Sequence, residues 1–160
     1  MDKHNRLGAL LIVGGVLIFL FATFFTIVLP ALLKQPTNIW LGDGVFRTKL
    51  ALTDITRTKG LSGTKEITAD EALLMVFPSE GKWGIWMKDM NFPIDIVWLN
   101  KNKKVIYIVK NAPPSDSTAT VFAPNNPAKY IVELPAGTVD SKSITTNSLA
   151  IFQINPGEVN

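Results

Sequence analysis

Apolar residues are spread along this chain in two different ways. From Leu7 to Leu33 they form one run without a charged residue, LGALLIVGGVLIFLFATFFTIVLPALL. Beyond Lys34 they come in short blocks separated by Gly, Pro, Asn and Asp. The first run exceeds the roughly 20 residues that cross a hydrocarbon core as a helix. Gly14 and Gly15 would weaken a helix in water but are ordinary in membrane helices. Thr23 and Thr26 can return their hydroxyls to the preceding turn, and Pro30 sits near the far end where a stop does least harm. The run is longer than the about 7–15 residues of a signal-peptide core. No small-x-small cleavage site follows it, because Leu29 precedes Ala31 by two. Residues 7–33 are therefore expected to be a transmembrane helix whose partner is the lipid bilayer, and a soluble helix apolar on every face is not. Lys3, His4, Arg6 and the terminal amine precede the run, and only Lys34 follows closely. The positive-inside rule then makes residues 1–6 a cytoplasmic tail and puts the rest outside the cell membrane.

After a linker at 34–38, residues 39–160 read as one extracytoplasmic β-rich domain. Ile39–Leu41 and Val45–Leu52 flank Gly42-Asp43-Gly44, a turn composition that joins two strands. Asp54 is placed to cap a short helix over Ile55–Lys59, with Gly60 just past its end. Thr68 and Glu71 have capping-box spacing, but the apolar LLMVF that follows suits a buried strand, so one turn and then a strand are expected. Leu73–Phe77, Trp83–Met87 and Ile94–Leu99 are strongly apolar strands. Lys104–Lys110, Lys129–Leu134 and Leu149–Ile154 complete the set, with a loop at Asn111–Ser117 and a turn at Asn125–Pro127. Short strands between such turns predict a mainly β fold: a compact antiparallel sandwich or barrel-like domain with one short helix.

Composition narrows the chemistry. The chain has 160 residues and a formal net charge of +3. The outer part is nearly neutral and its lysines are scattered, which argues against nucleic acid as a partner. There is no cysteine, so thiolate catalysis, zinc–sulfur sites and disulfides are excluded. The one histidine, His4, falls on the cytoplasmic side, so the outer domain has neither a Ser–His–Asp triad nor a His-ligated metal. No phosphate-binding or dinucleotide loop occurs, and no cofactor is expected.

What remains is charge inside apolar strands and four tryptophans, for which core packing is the commoner role and stacking on a sugar ring the alternative. Asp95 lies in PIDIVWL, Glu133 in YIVELPAG, and Lys88-Asp89 follow Trp86-Met87. Such a carboxylate faces solvent, pairs with a cation, or lines a site. Asp95 and Glu133 could serve as acid and base if a shared environment split their pKa values. Arg57 and Lys88 could neutralise them or clamp an anion. Paired structural charge is the commoner arrangement. Trp83 and Trp86 differ in strand parity, so one of them is expected to face outward, while Trp40 lies close enough to the apolar run to reach a membrane interface.

The stretch GIWMKDMNFPIDIVWLN resembles the prokaryotic domain of unknown function 192, whose signature is a WMK segment followed by Pro, Leu or Ile, Asp and Ile. TRTKGLSG is similar to that family's short helix ending in Gly-Leu, and ALLMVFPSEG to its apolar strand. NAPPS and PAKYIVELPAG follow in the expected order, so the resemblance runs from about Val45 to Ile154. Leu73-Leu74-Met75 replaces a usual Gly-Met, and Asn147-Ser148 replaces a usual Gly-Asp, which removes one carboxylate. The resemblance implies a compact β-rich domain, often exported or anchored, and no established activity.

The leading expectation is a non-catalytic binding or interaction module at the cell envelope, for a polysaccharide, a peptide or a partner protein. Its candidate ligand-binding residues are Arg57, Trp86, Lys88, Asp89, Asp95 and Glu133. The alternatives are a carboxylate-dependent hydrolase or lyase acting on an envelope polymer, and a structural envelope protein.

Overall fold

The computed structural model describes residues 15–28, 37–115, 120–155, 157 and 159. The chain divides into two units, one ending at Gln35 and the other beginning at Pro36. In the first, residues 15–23 are α-helical and Phe24–Val28 continue as a π-helix. Thr23 and Thr26 donate their hydroxyls to the carbonyls of Leu20 and Ala22, the local satisfaction expected of threonine in an apolar helix. Among the described residues no helix is long and apolar enough to cross a membrane. The remainder of the run from Leu7 to Leu33 lies outside the described residues.

The second unit is built on β1 (Thr37–Leu41), β2 (Gly44–Ala51), β3 (Glu71–Gly81), β4 (Ile85–Trp86), β5 (Ile94–Leu99), β6 (Val105–Ala112), β7 (Val121–Phe122) and β8 (Ala128–Pro135). Two short helices, α1 (Asp54–Lys59) and α2 (Thr138–Ser141), complete it. Six strands form one sheet in the order β1-β2-β3-β8-β5-β6, and β4 pairs with β7 separately. The β1–β2 hairpin turns at Gly42 with φ 57°, where a Cβ would strike the carbonyl of Lys142. The chain is mainly β, as its pattern predicts.

One pairing departs from the expected antiparallel scheme. β2 and β3 run parallel, with Thr48 opposite Ala72 and Leu50 opposite Leu74. Parallel neighbours need a crossover, and the segment that carries α1 supplies it. Thr53, rather than Asp54, caps α1 through a reciprocal capping box with Thr56, which leaves Asp54 for an ion pair. The expected strand at Leu149–Ile154 is reduced to bridges. Its first residues bond to both edges of the sheet: Ile151 exchanges two hydrogen bonds with Trp40, and Ala150 donates to the carbonyl of Lys103. These bonds link the β1 edge to the residues just before β6.

Both faces of the central strands are buried, which is why β3, β5 and β8 read as continuous apolar runs. On one face Leu74, Val76, Val97, Leu99, Val132 and Leu134 pack under Val139, Ile144 and Phe152. On the other, Leu73, Met75, Phe77, Ile96, Trp98 and Ile131 pack under Leu61, Ile85, Met87 and Met90. The crossover delivers α1 and its following loop to this second face, where the cover is incomplete.

Candidate functional site

The opening in that cover is a cavity of about 280 Å³ between the end of α1, strand β3 and the segment Trp83–Met90. Glu133 lies in its wall. β8 turns Glu133 to the face opposite Val132 and Leu134, where it stands across from Leu73 of β3 and Ile96 of β5. It is 3% exposed. One carboxyl oxygen accepts the backbone N–H of Leu61, and the other, Oε2, has no partner among the described residues. Burial pushes the Glu133 carboxyl from 4.5 up to about 8, and the Leu61 bond offsets only part of that. At neutral pH the group is mostly the uncharged acid.

Gly60 is what lets the loop pass so close. Its φ of 51° and ψ of −132° are open to glycine alone, and a Cβ there would stand 3.5 Å from both Glu133 oxygens and 3.2 Å from Met75 Cε. The loop beyond it is pinned to the turn opposite. Ser62 Oγ donates to the Lys88 carbonyl, Gly63 N–H to that of Asp89, and Asn91 Nδ2 to that of Thr64, each at 2.8 Å.

Arg57 closes one side. Its guanidinium is buried, donates through Nη1 to the carbonyls of Leu52 and Val76, and donates through Nη2 to Asp54 Oδ1 at 2.6 Å. It also lies 5.3 Å from the centre of the Phe77 ring. Phe77 is stacked on its outer side by Trp83, with centroids 4.4 Å apart and planes 7° from parallel. Trp86 lines the cavity while remaining 41% exposed, so of the two tryptophans of opposite parity this is the outward one. Away from the charged α1 side the walls are thus mainly apolar, with thioether and aromatic groups and a single uncharged acid at depth.

The six candidates part company here. Arg57, Trp86 and Glu133 line the cavity. Lys88 and Asp89 sit on the adjoining turn, both exposed, with side chains 3.9 Å apart, and do not line it. Asp95 belongs to the other face. It is fully buried and accepts the N–H groups of Asn111 and Val139, both at 2.8 Å. Val139 is in the first turn of α2, whose preceding Gly137 has no side chain to cap it, so Asp95 does that work from β5. Asp95 and Glu133 therefore do not form an acid–base pair, and Lys88 makes no ion pair with Asp95 among the described residues. The reason is strand parity: Asp95 pairs across from Leu134, and Ile96 from Glu133. Gly60, Leu61, Met75, Phe77 and Met90 carry no charge that sequence reasoning could single out. For Gly60 and Leu61 the signal was the Lys-Gly-Leu-Ser stretch, which held no chemistry until the crossover placed it over Glu133; Met75, Phe77 and Met90 read only as core. Among the described residues no group of three or more His, Cys, Asp or Glu is placed to hold a metal ion.

Fold and site together define a mixed-sheet β domain with a small cavity roofed by its crossover helix. The chain belongs to DUF192, a family described as "Uncharacterized ACR", whose model matches residues 38–150. This agrees with the resemblance read from the WMKDMNFPIDI segment. A UPF0127 protein of Thermococcus sibiricus is 30% identical over 109 residues, covering 67% of this chain and 64% of that protein. The match thus spans just under two thirds of that relative's length. A crystal structure of a protein of unknown function from Novosphingobium aromaticivorans superposes with a TM-score of 0.67 at 24% identity, over 72% of this chain and 83% of the other. Another, of a protein from Sinorhizobium meliloti described as a proposed transcription regulator, gives 0.68 at 21% identity, over 74% and 94%. At these identities the two structures show the fold alone.

Proposed function

We propose that this chain is a membrane-anchored binding module whose outer domain holds a ligand, without catalysis, in the cavity beneath α1. The observation that carries the reading is Glu133. A buried carboxyl with a vacant oxygen at the wall of an apolar cavity is costly to keep. A ligand that satisfies that oxygen accounts for it. The hydrolase or lyase alternative loses its pair of carboxylates, since Asp95 faces away and is committed to α2. Membrane anchoring is supported by the uncharged run from Leu7 to Leu33 and by Val16–Leu20, each more than half exposed on a helix without a charged residue. The cationic flank at Lys3 and Arg6 supports an N-terminus on the cytoplasmic side.

Two experiments test the two halves. Protease added to intact spheroplasts should remove a C-terminal tag, and a protected tag sinks the orientation. For binding, the full chain in lipid nanodiscs should be screened against glycan and peptide arrays. Trp86→Ala is expected to weaken any hit roughly tenfold, about 1.4 kcal/mol, without lowering the melting temperature. Empty arrays, or hits that ignore Trp86→Ala and Gly60→Ala alike, would favour the structural-protein reading.

A further inference from the structure

Given a ligand in this cavity, its geometry points to one class. We propose that it takes an uncharged acylamino group, the carbonyl oxygen accepting a hydrogen bond from the Glu133 carboxyl and the acyl carbon lying against Met75, Phe77 and Met90. The inference rests on the binding reading of the same cavity and adds the chemistry of the occupant.

Two features of the walls select that chemistry. Leu61 already occupies one Glu133 oxygen as a donor, so the vacant Oε2 is the oxygen left to carry the acid proton, and it calls for an acceptor. The charged groups facing the cavity are Asp54, Arg57 and Lys59, all on α1. β3 brings Met75 and Phe77, β5 brings Ile96 beside Glu133, and the segment after Trp83 brings Ile85, Trp86 and Met90, none of them charged. Lys88 and Asp89 are near that segment's end but face solvent. A cationic ligand would meet Arg57 and Lys59, and the other carboxyl lining the cavity, Asp54, is already bonded to Arg57. An anionic ligand would find Arg57 already engaged by Asp54 and by the carbonyls of Leu52 and Val76, and Lys59 exposed to water, while it shed its own water against thioether and aromatic carbon. An acylamino group offers a strong acceptor and an apolar carbon side by side and carries no charge into the cavity. Its N–H side is free to point outward past Trp86, towards whatever bears it: a sugar ring or a peptide.

The proton makes the test directional. Donation from Glu133 requires the acid form, so affinity should fall about tenfold per pH unit above the value of about 8 that burial gives the group. The full chain in lipid nanodiscs is titrated with N-acetylglucosamine and with N-acetylalanine methylamide, followed by the amide resonances of Gly60, Leu61 and Ser62. n-Butylamine and acetate serve as charged comparators. Both acetamido probes should perturb those amides, and the tighter one identifies the source. Glu133→Gln keeps a donor and cannot titrate, so it should bind at pH 7 within a few-fold of the parent and lose the pH dependence. Glu133→Ala should not bind. Butylamine binding that tightens with pH, acetate outcompeting the neutral probes, or a wild-type profile flat across pH 7–10 would each overturn the proposal. If all four probes are silent while an array ligand still binds, the ligand class is wrong and the binding reading survives. If both are silent, both fall.

Discussion

Asp95 and Glu133 sit on neighbouring strands, one step apart in register, and both are buried carboxyl groups. Their surroundings differ completely. Asp95 faces the side closed by α2 and accepts two backbone N–H groups at 2.8 Å. Glu133 faces the side roofed by α1, accepts one, and leaves Oε2 bare. A buried acceptor whose bonds are all to backbone donors is part of the scaffold. A buried acid with a spare oxygen at a cavity wall has capacity for something else. Both are buried carboxyl groups, so it is the accounting of hydrogen bonds that separates structure from site.

The comparison breaks most visibly at Asp95. Asp95→Ala strands the buried N–H of Val139, at about 1–3 kcal/mol, and removes the partner of the part-buried N–H of Asn111, so a loss of roughly 3 kcal/mol is expected in chemical denaturation. Asp95→Asn keeps one acceptor and should lose about half as much. If Asp95→Ala is as stable as the parent, the scaffold reading of Asp95 is wrong.

Glu133→Gln should act in the opposite direction, and only at some pH values. The folded-state carboxyl is raised to about 8 from 4.5, so between those values the folded protein holds a proton that the unfolded chain has released. Its contribution to stability is whole below about pH 4.5, is lost as pH rises towards 8, and is gone above that. Glutamine carries no such slope. The difference in unfolding free energy, variant minus parent, should therefore be small at pH 4 and grow to a few kcal/mol in favour of the variant at pH 9. A flat difference across that range would mean that the Glu133 carboxyl is not raised.

How much of this was legible in the chain itself follows from the same two residues. Asp95 and Glu133 stand out in the sequence because each interrupts an apolar strand, and the strands β3, β5 and β8 that carry or flank them were readable as buried blocks. Their opposition was not readable. It depends on which residue of β5 faces which of β8, and a shift of one residue would put both carboxyls on one face. The cavity was hidden for a related reason. Its roof exists because β2 and β3 pair in parallel, a long-range choice that the local turn signals around Asp54 and Gly60 do not encode. The two-residue strand β7 and the one-turn α2 were missed because neither is long enough to show a period. Likewise, the apolar Leu149–Ile154 looks like a strand but serves as a bridge between sheet edges.

The smallest effect expected is at Lys88, and it sharpens the comparison through an interaction that should be missing. Sequence proximity across the turn Met90–Pro93 suggested that Lys88 would neutralise Asp95. The Lys88 side chain instead is 47% exposed and its ion-pair neighbour is Asp89 at 3.9 Å, an arrangement whose worth in water is close to nothing. Lys88 does contribute through its backbone, since its carbonyl accepts from Ser62, but a side-chain substitution leaves that bond alone. Lys88→Met should therefore not change the melting temperature measurably. In the double variant with Asp95→Asn the two effects should add, because the residues share no partner among the described contacts and Asp95 is held by α2 and β6 on the far face. A coupling energy well above the roughly 0.5 kcal/mol of ordinary non-additivity would show that the two charges do sense each other, and that Asp95 belongs with the turn rather than with the scaffold of α2.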